Sequence, residues 1–372
     1  MLTSRRALLG MMAGGLSWSL LPLSLRADAG RRLYLSARAT EQGEFRVSGF
    51  TPSGEPLFDL PLPARGHSFA LHPGGRDVVH FARRPGSFAR VIDLERGAVV
   101  GDIVPREDRR FYGHGVFDAA GRLLYATEND FEGERGVVGV YDAQDSYRRV
   151  GELSSHGAGP HDIKMLSDGE TLVVANGGIL THPDFPRIKL NVPTMKPSLV
   201  YLNRRDGRLR KKVRLAPALH QLSIRHIAVG RGDTVAFAMQ YVGPAGNLVP
   251  LVGTHRGDRE PQLLAGPEYV LRGMKQYCGS TVFDVSRRVF AVSSPRGNVY
   301  TFWDAGTGNQ LSHATVPDGS GIAPGTGPGL FLASSGGGGV VVVDARSGKS
   351  RPIASAFLDG GRWDNHMINA EA

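Results

Sequence analysis

Three histidines stand at one interval, His67, His114 and His161, each 47 residues from the next. Imidazole is the side chain that is both neutral and nucleophilic towards metals near neutral pH. Several imidazoles brought to one place would suit a late first-row transition metal: iron, copper or zinc. A regular spacing can bring them together only if the fold is itself periodic. Each of the three opens a segment that runs through a short apolar stretch and a Gly-containing turn into an apolar strand. A period in the forties with strand texture is the signature of a β-propeller, one four-stranded blade per repeat.

The second strand of the repeat recurs as Val78–Arg83, Leu123–Glu128, Thr171–Asn176, Val235–Gln240, Val289–Ser294 and Leu330–Ser335. Small, aromatic and β-branched residues dominate these runs, which suits buried sheet. Third strands ending in Asp follow, as in Val341-Val342-Val343-Asp344. Polar tight turns such as Ala345-Arg346-Ser347-Gly348-Lys349 come after them. That makes six complete units. A seventh is divided between the chain ends: Arg32–Ala37 and Glu44–Val47 supply second and third strands, and Trp363–Ile368 supplies the innermost one. The expected fold is therefore all-β, a seven-bladed β-propeller closed by N- and C-terminal strands in one blade, which removes its exposed edges. The 50 glycines serve the many turns.

The first 29 residues read as a leader. Ser4-Arg5-Arg6-Ala7-Leu8-Leu9 precedes a weakly apolar run to Leu25, and Ala27-Asp28-Ala29 offers small residues for cleavage after Ala29. Paired arginines before such a run resemble a twin-arginine (Tat) export signal, which places residues 30–372 in the periplasm as a single propeller domain with no integral membrane span. Without Arg5, Arg6, Arg26 and Asp28 the mature chain keeps 41 basic and 34 acidic residues, net +7. The basic residues are scattered, with no aromatic interleaving that would fit nucleic acid. The run Arg210-Lys211-Lys212 reads as a solvated turn. Cys278 is the only cysteine, so no intramolecular disulfide forms, and the lack of Cys-x-x-Cys-His excludes covalent haem.

Aligning the repeats puts His67, His114, His161, Arg225, Ser280, Ser320 and His366 at equivalent blade entrances. Four of these are histidines on consecutive blades, so they should line a funnel on one face. Cys278, His182 and His226 are further candidate ligands, although a lone cysteine reads first as a buried, inert thiol. Asp162, Asp364 and Glu128 are candidates to orient the imidazoles. Arg225, Glu128, Asn176, Lys189, Lys196 and Gln240 are candidate ligand-binding residues on the same face. The insertion 177–197, with His182, Asp184, Arg187, Lys189 and Lys196, is long enough to cover the funnel as a lid. His72, His80, His220, His255 and His313 fall at turns or within strands and read as structural.

Gly159-Pro160-His161-Asp162, Asn176–Asp184, Lys189-Leu190-Asn191, Thr194–Leu199, Ser223-Ile224-Arg225-His226 and Trp363-Asp364-Asn365-His366 together resemble the DUF1513 family over nearly the whole mature chain. The resemblance implies an exported bacterial propeller. It also implies a role near iron uptake and imelysin-like periplasmic partners, since such genes often lie beside those of the family. It implies no activity.

Three readings of the funnel stay open on sequence alone. The histidines fix the blade entrances by bonding neighbouring backbone, or they hold a metal, or an anionic ligand sits among Arg225, Lys189 and Lys196. At the level of function the corresponding alternatives are a protein binding a metal or metal-bearing partner, a cofactor-dependent oxidoreductase or hydrolase acting on a small molecule, and a passive docking scaffold. No Gly-x-Ser-x-Gly elbow, His-Glu-x-x-His helix or phosphate loop is present.

Overall fold

The computed structural model describes residues 32–185 and 188–371. The leader and its cleavage point lie outside the described residues. Seven four-stranded antiparallel sheets form the blades. Their innermost strands are, from blade 1 to blade 7, Gly66–Leu71, Arg109–Phe117, Pro160–Met165, Leu222–Val229, Ser280–Phe283, Gly319–Pro324 and Arg362–Glu371. Each packs beside the next, and Arg362–Glu371 returns to Gly66–Leu71, so the ring is closed. Blade 7 is the composite expected from the sequence. Its inner strand pairs antiparallel with Arg32–Ala39 from Leu33↔Ala370 to Ala39↔Arg362. The Ser36 hydroxyl donates to the carbonyl of His366 at 2.8 Å, and the Trp363 indole donates to the carbonyl of Leu358 at 2.9 Å.

The second strands are buried on both faces, as a layer covered by sheet on each side must be. Every residue of Thr171–Asn176 is buried. Their apolar side chains join those of adjoining blades in shared clusters, one of which runs from Val173 through Phe237 to Trp303. Rigidity at the axis follows, because each inner strand is wedged between two neighbours. The turns after third strands have a common cause. Asp344 accepts from the backbone N–H of Arg346 and Ser347, both at 2.9 Å, and Gly348 then adopts φ 69°. Asp304 does the same for Gly306 and Thr307 ahead of Gly308.

One expectation needs correction. Arg210-Lys211-Lys212 is no turn but part of the outermost strand of blade 3, Leu209–Val213. A row of cations along a sheet edge keeps another strand from pairing there.

Candidate metal centre

The inner strands carry an irregularity that decides where their side chains go. In six of the seven blades the inner strand slips register against its neighbour, and the slip coincides with the candidate site residues. It falls between Gly66 and Phe69, Phe111 and Gly115, Pro160 and Asp162, Ile224 and His226, Gly319 and Ile322, and, in blade 7, opposite Ser36–Arg38. A bulge re-aims the side chain that it carries. His67, His114, His161, Arg225 and His366 all lie within these bulges; only blade 5 pairs regularly from Ser280 onwards.

Five imidazoles meet as a result. His67, His161, His226 and His366 form a ring, with successive centroid separations of 5.8, 4.7, 5.0 and 4.5 Å back to His67. His114 touches all four, at 4.9 Å from His67, 5.1 Å from His161, 5.8 Å from His226 and 4.8 Å from His366. Two three-histidine sets, His67–His114–His161 and His114–His226–His366, each bring their ligand nitrogens within 4.8 Å of one another, and His114 belongs to both. Metal–nitrogen bonds of about 2.0–2.1 Å place ligand nitrogens roughly 3–4 Å apart, so small shifts would close either set on an ion. Gly113 makes room for this arrangement. Its φ is +100°, and a Cβ there would stand 2.5 Å from His67 Cδ2.

The equal spacing in the sequence conceals a difference in position. First hairpins begin their pairing at Leu71↔Val78, Phe117↔Leu124, Met165↔Leu172 and Val229↔Val235. Counted back from these, His67, His161 and Arg225 fall four residues before the turn, but His114 and His226 fall three before it. Two adjacent positions therefore feed the centre. His226, only a further candidate by sequence, is a full member, and Arg225 stands beside it.

Burial comes first among the causes that hold His67, His161, His226 and His366 well below the usual imidazole pKa, and the neighbouring imidazoles add to it. All four are neutral at physiological pH, the form in which an imidazole can bind a metal. His114 Nδ1 lies 3.1 Å from Asp162 Oδ1. Burial alone would raise the Asp162 pKa, but His114, the Lys164 ammonium at 2.6 Å and the backbone N–H of Ile227 at 3.0 Å hold it well below the carboxylate range. Asp162 thus keeps its charge and steadies His114. Replacing it, Asp162→Asn, is expected to weaken metal affinity by about 10–100-fold with the fold intact, read by competition against a chelator.

Whether these residues fit a metal can be tested on the histidines themselves. Among the described residues His67 Nδ1, His114 Nε2, His161 Nδ1, His226 Nδ1 and His366 Nε2 are buried with no hydrogen-bond partner. Of the expected structural histidines three bond through a ring nitrogen, while His80, packed on Phe69, keeps both nitrogens unpartnered. His72 Nε2 meets the Gly121 carbonyl at 3.0 Å, His220 Nδ1 the Pro217 carbonyl at 3.1 Å, and His255 Nδ1 the Tyr201 hydroxyl at 2.6 Å. A buried polar group without a partner costs about 1–3 kcal/mol. No imidazole of the cluster bonds backbone, so the structural reading lacks its contacts, whereas the nitrogens are those a metal would take.

Several candidates do not join the centre. Cys278 lies in an apolar cluster with Met239 and Leu251, and burial pushes its thiol up to about 12. His182 packs against Phe131 and Phe185, 3.7 Å from Glu132. Glu128 is buried inside blade 2, where the Tyr141 hydroxyl and the Arg149 guanidinium occupy its carboxylate. Asn176 donates to the Ser155 carbonyl, and Gln240 to the carbonyl of Cys278. Asp364 is clasped by Arg65 and Arg83. Lys196 is exposed on the flank beside Arg214 and Lys212. Only Ser280 among the non-histidine entrances touches the cluster, 3.4 Å from His366 Nδ1. The insertion is fastened at its base: Asn191 bonds Leu180 and Gly178, and Asn129 bonds the Thr181 carbonyl. No helix among the described residues is long and apolar enough to cross a membrane.

A family model described as "Protein of unknown function (DUF1513)" matches residues 60–370. The chain belongs to the DUF1513 family. The match begins just before the His67 bulge and ends in the strand that carries His366, so all five histidines of this DUF1513 propeller lie inside it. Comparison with curated proteins finds no sequence match. Among solved structures, hydrazine synthase of Kuenenia stuttgartiensis is similar, with a TM-score of 0.60 and 13% identity over 94% of this chain and 100% of that one. At that identity the likeness concerns the fold alone.

Proposed function

We propose that the five histidines hold a late first-row transition metal, copper, zinc or iron, and that the protein is a periplasmic metal-binding propeller, exported by the Tat pathway, that serves iron uptake alongside imelysin-like proteins. One observation carries the metal reading. Five imidazoles, several with buried unpartnered nitrogens, bring their ligand atoms together in two sets within 4.8 Å, whereas the likewise unpartnered His80 packs against Phe69. A neutral, all-nitrogen donor set selects such ions over magnesium or calcium, which prefer oxygen. Export is supported by the paired Arg5 and Arg6 and the small residues before position 30. The iron connection rests on the genes that lie beside those of the family.

The test is the metal content of the exported protein against a His67→Ala/His114→Ala/His161→Ala variant. Near-stoichiometric metal that disappears from the folded variant is the expected result. Folded wild-type protein that stays metal-free after incubation with iron, copper and zinc in turn would overturn the reading.

A further inference from the structure

Five histidines offer more nitrogens than a three-coordinate ion needs, and the way they divide constrains how an ion would use them. The sets His67–His114–His161 and His114–His226–His366 share only His114. Nδ1 of that ring faces Asp162 Oδ1 at 3.1 Å. Asp162 is anchored in turn by the Lys164 ammonium and by the backbone N–H groups of Ile163 and Ile227. A neutral imidazole that gives its Nδ1–H to a carboxylate keeps one lone pair, on Nε2. One lone pair serves one ion. The two sets are therefore alternatives, and the centre holds a single ion in either of two positions.

The positions differ in exposure and in support. His114, His226 and His366 are all buried, whereas His161 of the other set is only half-buried. His366 is steadied much as His114 is: the Ser280 hydroxyl lies 3.4 Å from its Nδ1, and its Nε2 is left buried without a partner. His67 and His161 have no such support, and Nδ1 of each is buried and unbonded among the described residues. Ligands whose second nitrogen is held bind a metal more tightly than ligands left free to turn. The set containing His226 and His366 is thus the tighter and the deeper one. Between the two pairs the rings stand close, at 4.5 Å from His67 to His366 and 4.7 Å from His161 to His226. An ion kept on His114 can pass from one pair to the other by exchanging one nitrogen at a time.

We propose that the centre is a metal relay, in which an ion is accepted at His67–His114–His161, on the side where His161 reaches solvent, and moves onto His114–His226–His366 while His114 Nε2 stays bonded. This rests on the metal reading of the same histidines. Three protein nitrogens leave a fourth coordination position open, and at the outer set that position takes a ligand of the chelate that delivers the ion. In the transfer the bonds to His161 and His67 break as those to His226 and His366 form. All four donors are neutral throughout, so the ion keeps its charge and neither a proton nor an electron changes place.

The probe is copper(II) offered as its nitrilotriacetate chelate to the metal-free exported protein. The readouts are copper per chain, the rate of filling, the rate of loss to excess EDTA, and the electron paramagnetic resonance spectrum. Wild type should take up one copper. His161→Ala, which breaks only the outer set, should still hold one copper with the wild-type spectrum but fill about 10-fold or more slowly. His366→Ala, which breaks only the inner set, should fill at the wild-type rate, show a different spectrum and lose copper about 10-fold or more faster. Circular dichroism checks that each variant is folded, and His67→Ala or His226→Ala replaces a partner of the same set that is not. Two coppers per wild-type chain, or equal filling and loss in the two variants, overturns the relay and leaves the metal centre standing. One variant binding no copper while the other behaves as wild type also overturns it, since the ion then has one fixed position. Wild type that takes up no copper removes the metal reading and the relay with it.

Discussion

His114→Ala is expected to leave the folded protein with less than about a tenth of the wild-type metal, a larger loss than any other single histidine substitution produces. Both three-histidine sets contain His114, and it is the imidazole that contacts the other four. Loss of His67 leaves His114–His226–His366 intact, and loss of His226 leaves His67–His114–His161. Without His114 neither set survives, and Asp162 loses the ring that it steadies. A structural metal is bound only when enough ligands converge, so loss of the shared one acts on every way of holding the ion. Stability without metal should change by only about 2 kcal/mol, because the cavity cost is offset in part by removing the buried Nε2, which has no partner. His72→Ala, at a histidine bonded to the Gly121 carbonyl, should keep its metal. Metal content by mass spectrometry decides the matter. Equal content in His114→Ala and wild type would refute a centre organised around this residue.

The second expectation concerns acid. In the metal-free protein His67, His161, His226 and His366 stay neutral when folded, since burial holds each well below the usual imidazole value. In the unfolded chain the same groups take up protons near pH 6.5. Below that pH the unfolded state therefore binds more protons, and the free energy of unfolding falls as pH falls. The stability they contribute is fully present above about pH 6.5 and is lost progressively towards their depressed folded values. Each contributes about 1.4 kcal/mol per pH unit, so four give at most roughly 5 kcal/mol between pH 6.5 and 5.5. That is comparable with the whole stability of many domains. Asp162, depressed in the opposite chemical sense, gives stability that is lost only at lower pH, below this window. Urea unfolding of metal-free protein at pH 7.5, 6.5 and 5.5 should show a level region followed by a steep fall. Metal-loaded protein should resist further into acid, because the bound ion stabilises only the folded state. An unchanged midpoint down to pH 5.5 would mean that the folded centre accepts protons freely.

The blade count was legible because a propeller writes its period into the chain. Apolar second strands recur, Asp-to-Gly turns close the hairpins, and Trp363–Ile368 supplies the inner strand that Arg32–Ala37 lacks in sequence. Four of the five histidines were legible for the same reason, since blade entrances in a closed ring converge on its axis, even though His114 stands one residue off the position of His67 and His161. His226 was not given its full place, because its neighbour Arg225 occupies the position matching His161. A bulge lets two successive residues of one strand reach the same centre, and period-two reasoning assigns them to opposite faces. The surroundings of Glu128 and of the buried Cys278 were hidden for a related cause. The sequence shows a carboxylate or a thiol at a strand end, but not that Tyr141 and Arg149 wait beside the first or that Met239 and Leu251 enclose the second.

By itself, then, the sequence determined the fold class, the closure of the ring and the face on which chemistry gathers. These follow from hydrophobic period and turn chemistry, which are local. Tertiary structure alone decided which imidazoles meet and which of their nitrogens lack partners. Those facts depend on the register of inner strands from different blades and on where a bulge turns a side chain, which no local pattern encodes.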